Sequence, residues 1–220
     1  MPILKKINKD FFKEWTSDMA YILGFLFADG NIVKTKRGTY FVAIYTADYQ
    51  LLVSIVQSIG SDHKISERKS ETGVVYRIQI GSKDLFNDLV EKGLTPNKSR
   101  RMKLPNVPAK YFNDFVRGYF DGDGNVWVGL HNKNRKKPTN VITASFTSAS
   151  NCFLGDLHRQ LINRGIKGGS LNVIKSKKCS RLSLSTLDAL KLFTIMYTIP
   201  HSLFLNRKKL VFEKFINMRP

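Results

Sequence analysis

The sequence predicts an α+β protein of two pseudo-symmetric αββαββα halves, each carrying one four-stranded antiparallel sheet. Three observations carry this. A nine-residue stretch ending in Asp-Gly occurs twice in the 220 residues, as Ile22-Leu23-Gly24-Phe25-Leu26-Phe27-Ala28-Asp29-Gly30 and as Val116-Arg117-Gly118-Tyr119-Phe120-Asp121-Gly122-Asp123-Gly124, with Asp29 and Asp123 94 positions apart. Each copy is followed by the same succession of strand and helix patterns. Later in each half, Arg77-Ile78-Gln79-Ile80 realigns with Arg181-Leu182-Ser183-Leu184, and Asp84 with Asp188, at one offset of 104. A duplication on this scale makes two domains, not a solenoid of short repeats. The expected divisions are a first half at 1–97, a linker at 98–108 and a second half at 109–220.

Taken in order, residues 1–18 form a basic lead-in with Phe11, Phe12 and Trp15, expected on the outside of the first motif helix. That helix runs from about Met19 to Gly30, and Ser17 or Asp18 is placed to cap it. Asn31–Thr35 and Tyr40–Thr46 read as a strand pair whose loop carries Lys34, Lys36 and Arg37. Asp48–Ile59 has a helical stripe of Leu51, Leu52, Ile55 and Val56, and Gly60 stops it. A second strand pair covers His63–Lys69 and Val74–Gly81, turning at Thr72-Gly73. In the latter strand Arg77 and Gln79 alternate with Tyr76, Ile78 and Ile80. Ser82 caps an amphipathic helix to Lys92. Gly93–Pro108, with three prolines and the run Lys98-Ser99-Arg100-Arg101-Met102-Lys103, reads as a linker lying along something negative.

The second half repeats the order. A helix at about Ala109–Gly124 holds the second motif, and strands follow at Asn125–His131 and Val141–Ser148. Their loop bears Lys133, Arg135, Lys136 and Lys137, as the first half's loop bears its own basic residues. Asn151–Arg164 is helical up to Gly165, strands recur at Ser170–Lys175 and Ser180–Ser185, and a helix spans Thr186–Tyr197. Ser202–Met218 closes the chain as a basic amphipathic helix.

The motif itself has a physical reading. Gly24 and Ala28, like Gly118 and Gly122, fall four apart on one helix face. Glycine within a helix costs about 1 kcal/mol against alanine, so these positions point to close backbone approach, and the partner expected for one copy is the other. Arg117 is expected to face away from that helix pair. Gly30 and Gly124 stand where a helix end takes a left-handed residue, which puts Asp29 and Asp123 in the last turn, against the helix dipole. Neighbouring carboxylates also repel one another. A shared divalent cation relieves both problems, and carboxylates with backbone carbonyls are the hard oxygen ligands of Mg²⁺.

The paired stretches resemble the LAGLIDADG motif of homing endonucleases, in the single-chain form with two motifs, and the resemblance extends over nearly the whole chain. It implies that Asp29 and Asp123 bind the catalytic Mg²⁺, with Mn²⁺ or Ca²⁺ able to occupy the site, and that the carbonyls of Ala28 and Gly122 assist. Asp123 is preferred to Asp121 as the ligand because it matches Asp29. The resemblance also nominates Lys98 and Lys208 as cations completing the catalytic site, with plain contact to the DNA backbone as the alternative. It implies one chain acting as a monomer on a long, asymmetric double-stranded DNA target, which the two sheets straddle as a saddle. On the sheets Arg77, Gln79, Thr143, Ser145, Arg181 and Ser183 face the grooves, where Arg suits guanine and Gln suits adenine. Lys34, Lys36, Arg37, Lys133, Arg135 and Lys136 meet phosphates.

Composition agrees. Lys and Arg outnumber Asp and Glu by 36 to 17, a formal charge of +19, which points to a polyanion. No apolar run is long enough to span a bilayer, and Met1–Lys6 lacks the apolar region of a secretion signal. Cys152 and Cys179 lack metal or disulfide spacing, as expected of free thiols in a reducing, intracellular compartment. The four histidines show no zinc pattern. Neither a leading Cys or Ser nor a closing His-Asn pair is present, so self-splicing is not expected. A splicing maturase or a non-cleaving DNA-binding protein on the same scaffold is the competing reading. The survival of both acids favours the nuclease.

Overall fold

A computed structural model describes residues 5–71, 73–131, 139–200 and 202–218. The elements are α1 (Ser17–Asp29), β1 (Gly30–Lys34), β2 (Tyr40–Thr46), α2 (Tyr49–Ser58), β3 (Ser66–Ser70), β4 (Gly73–Gly81), α3 (Lys83–Glu91), α4 (Phe112–Asp123), β5 (Gly124–His131), β6 (Thr139–Ser148), α5 (Asn151–Ile162), β7 (Ser170–Ile174), β8 (Cys179–Leu184), α6 (Thr186–Tyr197) and α7 (Asn206–Asn217). Each half thus has the expected order, and each sheet is four-stranded and antiparallel, β1-β2-β4-β3 and β5-β6-β8-β7. The registers match as well: Ala43 opposes Gln79 in the first sheet, and Ser145 opposes Ser183 in the second.

By contact the chain gathers into two units. One comprises Met1–Lys98, Pro105–Gly122 and Ser202–Phe204; the other comprises Ser99–Leu104, Asp123–His201 and Leu205–Pro220. In the first, one sheet face (Ile32, Val42, Ile44, Ile78, Ile80) is buried with Leu52 and Ile55 of α2 and Leu85 and Leu89 of α3. In the second, Ile142, Ala144, Phe146, Leu182 and Leu184 are buried with Phe153 and Leu157 of α5, Leu192 of α6 and Phe212 of α7. The other face of each sheet carries the polar alternates.

Both motif helices belong to the first unit, apart from Asp123, and they meet backbone to backbone. A methyl group added at Gly24 would fall 2.1 Å from the Phe115 carbonyl oxygen, and one at Gly118 would fall 1.9 Å from that of Tyr21. At Gly122 it would sit 2.3 Å from the Ala28 Cβ. Only the absence of a side chain permits this spacing.

Several local expectations change. Thr16, not Ser17 or Asp18, caps α1, its Oγ1 accepting from the Met19 N–H at 3.1 Å. Ser17 instead donates to Asp114 at 2.7 Å, while Asp18 accepts from Ser58 and Ser202, each at 2.8 Å. Gly30 is not left-handed. At φ −91° and ψ 156° it runs straight into β1, and Gly124 likewise lacks a positive φ. The glycine at 30 is needed because a Cβ would lie 2.6 Å from the Leu26 Cα and carbonyl oxygen. Gly60 and Gly165 do stop α2 and α5 with φ of +65° and +93°. The helix expected from Ala109 opens as a 3₁₀ turn at Ala109–Tyr111, β3 begins at Ser66 and not His63, and the last helix begins at Asn206 because Leu203 and Leu205 are buried as extended chain. Thr72 of the second hairpin's turn lies outside the described residues.

Arg117 departs most from expectation. It is 1% exposed. Its guanidinium lies 5.2 Å from the Tyr21 ring centroid, donates to the Leu203 carbonyl at 2.9 Å and pairs with Asp114 at 2.9 Å. Asp121, 2% exposed, accepts from the Tyr21 hydroxyl at 2.7 Å. Buried charge is tolerated where it is paired and hydrogen-bonded, and α4 supplies the charges that α1 meets with Ser17 and Tyr21.

Two substitutions test this core. Gly118→Ala forces a methyl group into the Tyr21 carbonyl and is expected to cost at least about 3 kcal/mol. Arg117→Leu leaves a buried carboxylate at Asp114 and is expected to cost about 3–5 kcal/mol. Urea denaturation of each variant beside the parent reads both; a midpoint unchanged in either would contradict the packing.

Candidate metal centre and nucleic-acid interface

In the first unit α1 delivers Asp29 as its last residue, half-buried. A Cβ added at Gly122 would lie 3.3 Å from Asp29 Oδ2, so this carboxylate rests against the end of α4. Lys98, in a 3₁₀ turn at Lys98–Arg100, sends its Nζ to the carbonyls of Ala28 at 3.2 Å and Gly30 at 2.7 Å. The structure therefore brings Asp29, Ala28, Gly122 and Lys98 together. In the second unit Asp123 closes α4, also half-buried, and Lys208 sends its Nζ to the Gly124 carbonyl at 2.5 Å. Lys208 is only 6% exposed. Each motif's final glycine thus has its carbonyl held by a lysine from the half's closing segment, and they are the same two lysines that the sequence nominates.

The donors suit a hard cation. Among the described residues no group of three or more His, Cys, Asp or Glu gathers into a metal-binding cluster, so an ion here would rest on the motif aspartates, backbone carbonyls and water. That all-oxygen set fits Mg²⁺, which keeps much of its water, and not zinc. The carbonyls at Ala28 and Gly30 already point at an ammonium, which marks the spot as one that attracts positive charge. Asp121, held by Tyr21, belongs to the helix interface.

The polar sheet faces hold most of the other candidates. Lys34 is exposed, its Nζ 5.4 Å from the Tyr40 ring centroid. Lys36 and Arg37 are exposed in a loop closed by Thr35 N–H to Thr39 O at 2.8 Å and turned at Gly38, φ +79°. Arg77 lies 5.5 Å from the Tyr45 ring centroid, its Nε buried and without a hydrogen-bond partner, while Gln79 is exposed two residues on. In the second sheet Arg181 is exposed, Thr143 and Ser183 are half-buried, and Ser145 is 8% exposed. Thr143 and Ser183 share a shallow cleft of ≈ 340 Å³ with Ser170. Lys133, Arg135 and Lys136 lie outside the described residues.

Sequence reasoning passed over Trp127. It is 50% exposed on β5 and opposes Thr143, with its indole folded over Gly129, where a Cβ would meet it at 2.1 Å. The alternation Asn125, Trp127, Gly129 gave the signal. Lys175, Lys177 and Lys178, at the turn between β7 and β8, were also passed over. Cys152 is exposed and Cys179 half-buried, both as free thiols. No helix of the described residues is long and apolar enough to cross a membrane.

The two lysines differ in burial, and that difference is measurable. Lys208→Met removes a nearly covered ammonium from the half-buried Gly124 carbonyl and is expected to cost about 1–3 kcal/mol. Lys98→Met acts where water can replace the ammonium and is expected to cost less than about 1 kcal/mol. Denaturant midpoints rank them, and equal losses would refute the distinction.

Comparison with known proteins bears on the fold. Residues 16–92 match the family model described as a LAGLIDADG-like domain. An uncharacterised protein of Methanocaldococcus jannaschii is 33% identical over 115 residues, 50% of this chain and 39% of its own length. A DNA-directed RNA polymerase subunit of the same organism is 29% identical over 113 residues, 50% of this chain and 13% of its own length. The match thus spans well under half of either curated relative. Among solved structures, a mesophilic variant of the homing endonuclease I-DmoI superposes with a TM-score of 0.59 at 17% identity, covering 84% of this chain and 98% of that one. I-DmoI in complex with DNA and Ca gives 0.61 at 18%, covering 90% and 97%. The homing endonuclease I-WcaI bound to its DNA recognition sequence gives 0.61 at 17%, covering 92% and 90%. The chain therefore carries a LAGLIDADG-like domain at residues 16–92 and is built on the fold of the LAGLIDADG homing endonucleases.

Proposed function

We propose that the protein is a site-specific double-strand DNA endonuclease that hydrolyses phosphodiester bonds in a long, asymmetric target, acting as a monomer with Mg²⁺. The observation that carries this reading is the recurrence, once in each unit, of a motif aspartate followed by a glycine whose carbonyl accepts a lysine ammonium: Asp29 with Gly30 and Lys98, Asp123 with Gly124 and Lys208. A helix C-terminus is a poor setting for a carboxylate unless cations offset it, and the two lysines begin that offset. The +19 charge and the related folds solved with DNA and with divalent ions support the same conclusion.

The chain's own groups would then act as follows. Asp29 and Asp123, with the Ala28 and Gly122 carbonyls, would hold the ions. Bound there, a divalent ion supplies an acidified water as nucleophile and stabilises the leaving 3′-oxygen. Lys98 and Lys208 hold the motif's terminal turn in place and set positive charge beside the scissile phosphate. Arg77, Gln79, Arg181, Ser183 and Thr143 present donors and acceptors to base edges. Lys34, Lys36 and Arg37, and by their place in the sequence Lys133, Arg135 and Lys136, contact phosphates and so supply affinity that falls with salt. Ser145, nearly covered, contributes at most a hydroxyl at the floor of that surface.

The test is cleavage of a supercoiled plasmid library carrying randomised inserts, with and without Mg²⁺. Linear product from a defined subset of inserts, dependent on Mg²⁺, is expected. Asp29→Asn and Asp123→Asn are each expected to lower double-strand cleavage by at least about 100-fold while retention of the selected duplex on a native gel persists. Binding without cleavage by the parent chain would overturn the nuclease reading in favour of a non-cleaving binder or maturase.

A further inference from the structure

The basic segment at residues 5–9 is tied to the chain that follows α2. The Asn8 N–H donates to the Ile59 carbonyl and the Asp62 N–H to the Lys6 carbonyl, both at 3.2 Å, so the segment runs along the turn between α2 and β3. This route carries its lysines to the rim of the first sheet's polar face. There Lys5, Lys9, Lys83, His63, Gln79 and Asp84 line an open cleft of ≈ 590 Å³. Gln79 lies on the same face of β4 as Arg77, so the cleft continues the surface assigned to DNA.

Its charge is unbalanced. Three ammonium groups meet one carboxylate. Asp84 bridges Lys9 at 3.7 Å with both side chains more than half exposed, a contact that holds little energy and is easily exchanged. A concave surface with surplus positive charge gathers oxyanions. His63 adds a ring nitrogen, with its Nδ1 2.9 Å from Ser61 Oγ. Burial, and then the charge of Lys5, push its pKa below the ordinary histidine value, with Asp62 opposing.

We propose that this cleft binds a phosphate oxyanion supplied by the DNA backbone, which makes residues 5–9 a phosphate clamp beside the base position served by Gln79. The inference rests on reading the polar sheet faces as the DNA surface. A phosphate seated among Lys5, Lys9 and Lys83 adds negative charge beside His63, so the imidazole pKa rises on binding. Asp62 already exerts a pull in that direction.

The full-length chain and its Lys5→Ala/Lys9→Ala/Lys83→Ala variant are titrated with a 30-base-pair duplex of mixed sequence by fluorescence anisotropy across a KCl series. The three lysines are solvent-exposed, and matching denaturant midpoints establish that the variant folds. The log–log salt slope of the variant is expected to shrink by roughly one to two, at about 0.9 per phosphate contact. In parallel, proton NMR of the His63 imidazole follows its pKa with the duplex and with inorganic phosphate alone. A rise with the duplex in the parent chain, absent in the variant, supports the clamp. An unchanged salt slope, with duplex still bound by the parent, overturns it. A rise with inorganic phosphate and none with the duplex overturns the DNA source and leaves a free-anion site. A parent chain that binds no duplex even at low salt overturns the DNA reading itself.

Discussion

Two glycines, Gly24 and Gly118, set the distance on which the rest depends. With the Phe115 and Tyr21 carbonyls close enough to exclude even a methyl group, the helices that carry the motifs are locked in register, and the position of Asp29 against Gly122 follows from that lock. The interaction is mostly van der Waals contact between backbones, each atom pair contributing little and the whole a great deal. It explains why the motif ends in small residues: bulk at 24, 28, 118 or 122 would part the helices and move the carboxylate.

Around this contact the two helices are not chemically alike. At positions equivalent in the duplication, α1 has Leu23 and Phe27 where α4 has Arg117 and Asp121. Arg117 and Asp121 find partners in Asp114, Tyr21 and the Leu203 carbonyl. Copies of α1 alone would bury the Tyr21 hydroxyl without Asp121, and copies of α4 alone would bury carboxylates without Tyr21. Unpaired buried polar groups are costly, so the network favours one α1 with one α4. The duplication retained a common fold while the interface diverged into complementary halves.

Much of this was legible in the chain. The repeated nine-residue stretch announced the helix pair, and the period-two alternation of β4 announced a buried face of Ile78 and Ile80 with Arg77 and Gln79 opposite. Ser82 and Gly60 marked helix ends correctly because their roles are local. What escaped were features set by distant residues. Arg117 reads as a surface side chain until Leu203, far along the chain, offers its carbonyl. Gly30 reads as a left-handed cap until the strand that follows without a turn makes Leu26 the reason for glycine. Thr16 outcompetes Ser17 and Asp18 for the cap because those two are drawn off by Asp114, Ser58 and Ser202. At the candidate site the repeat named the two aspartates and the resemblance nominated the two lysines, whereas the half-exposed Trp127 and the route of residues 5–9 depend on tertiary placement.

The Arg117–Leu203 bond bears on how the chain is made. A segment almost at the C-terminal end is a structural member of the unit built mainly from the N-terminal half, just as Met102 gives its carbonyl to Ser150 in the other unit at 2.6 Å. During synthesis the first unit must wait, with its guanidinium incompletely satisfied, until residue 203 has left the ribosome. Each unit thus borrows a strip from beyond its own stretch, and the first closes only after the segment that builds most of the second has been made.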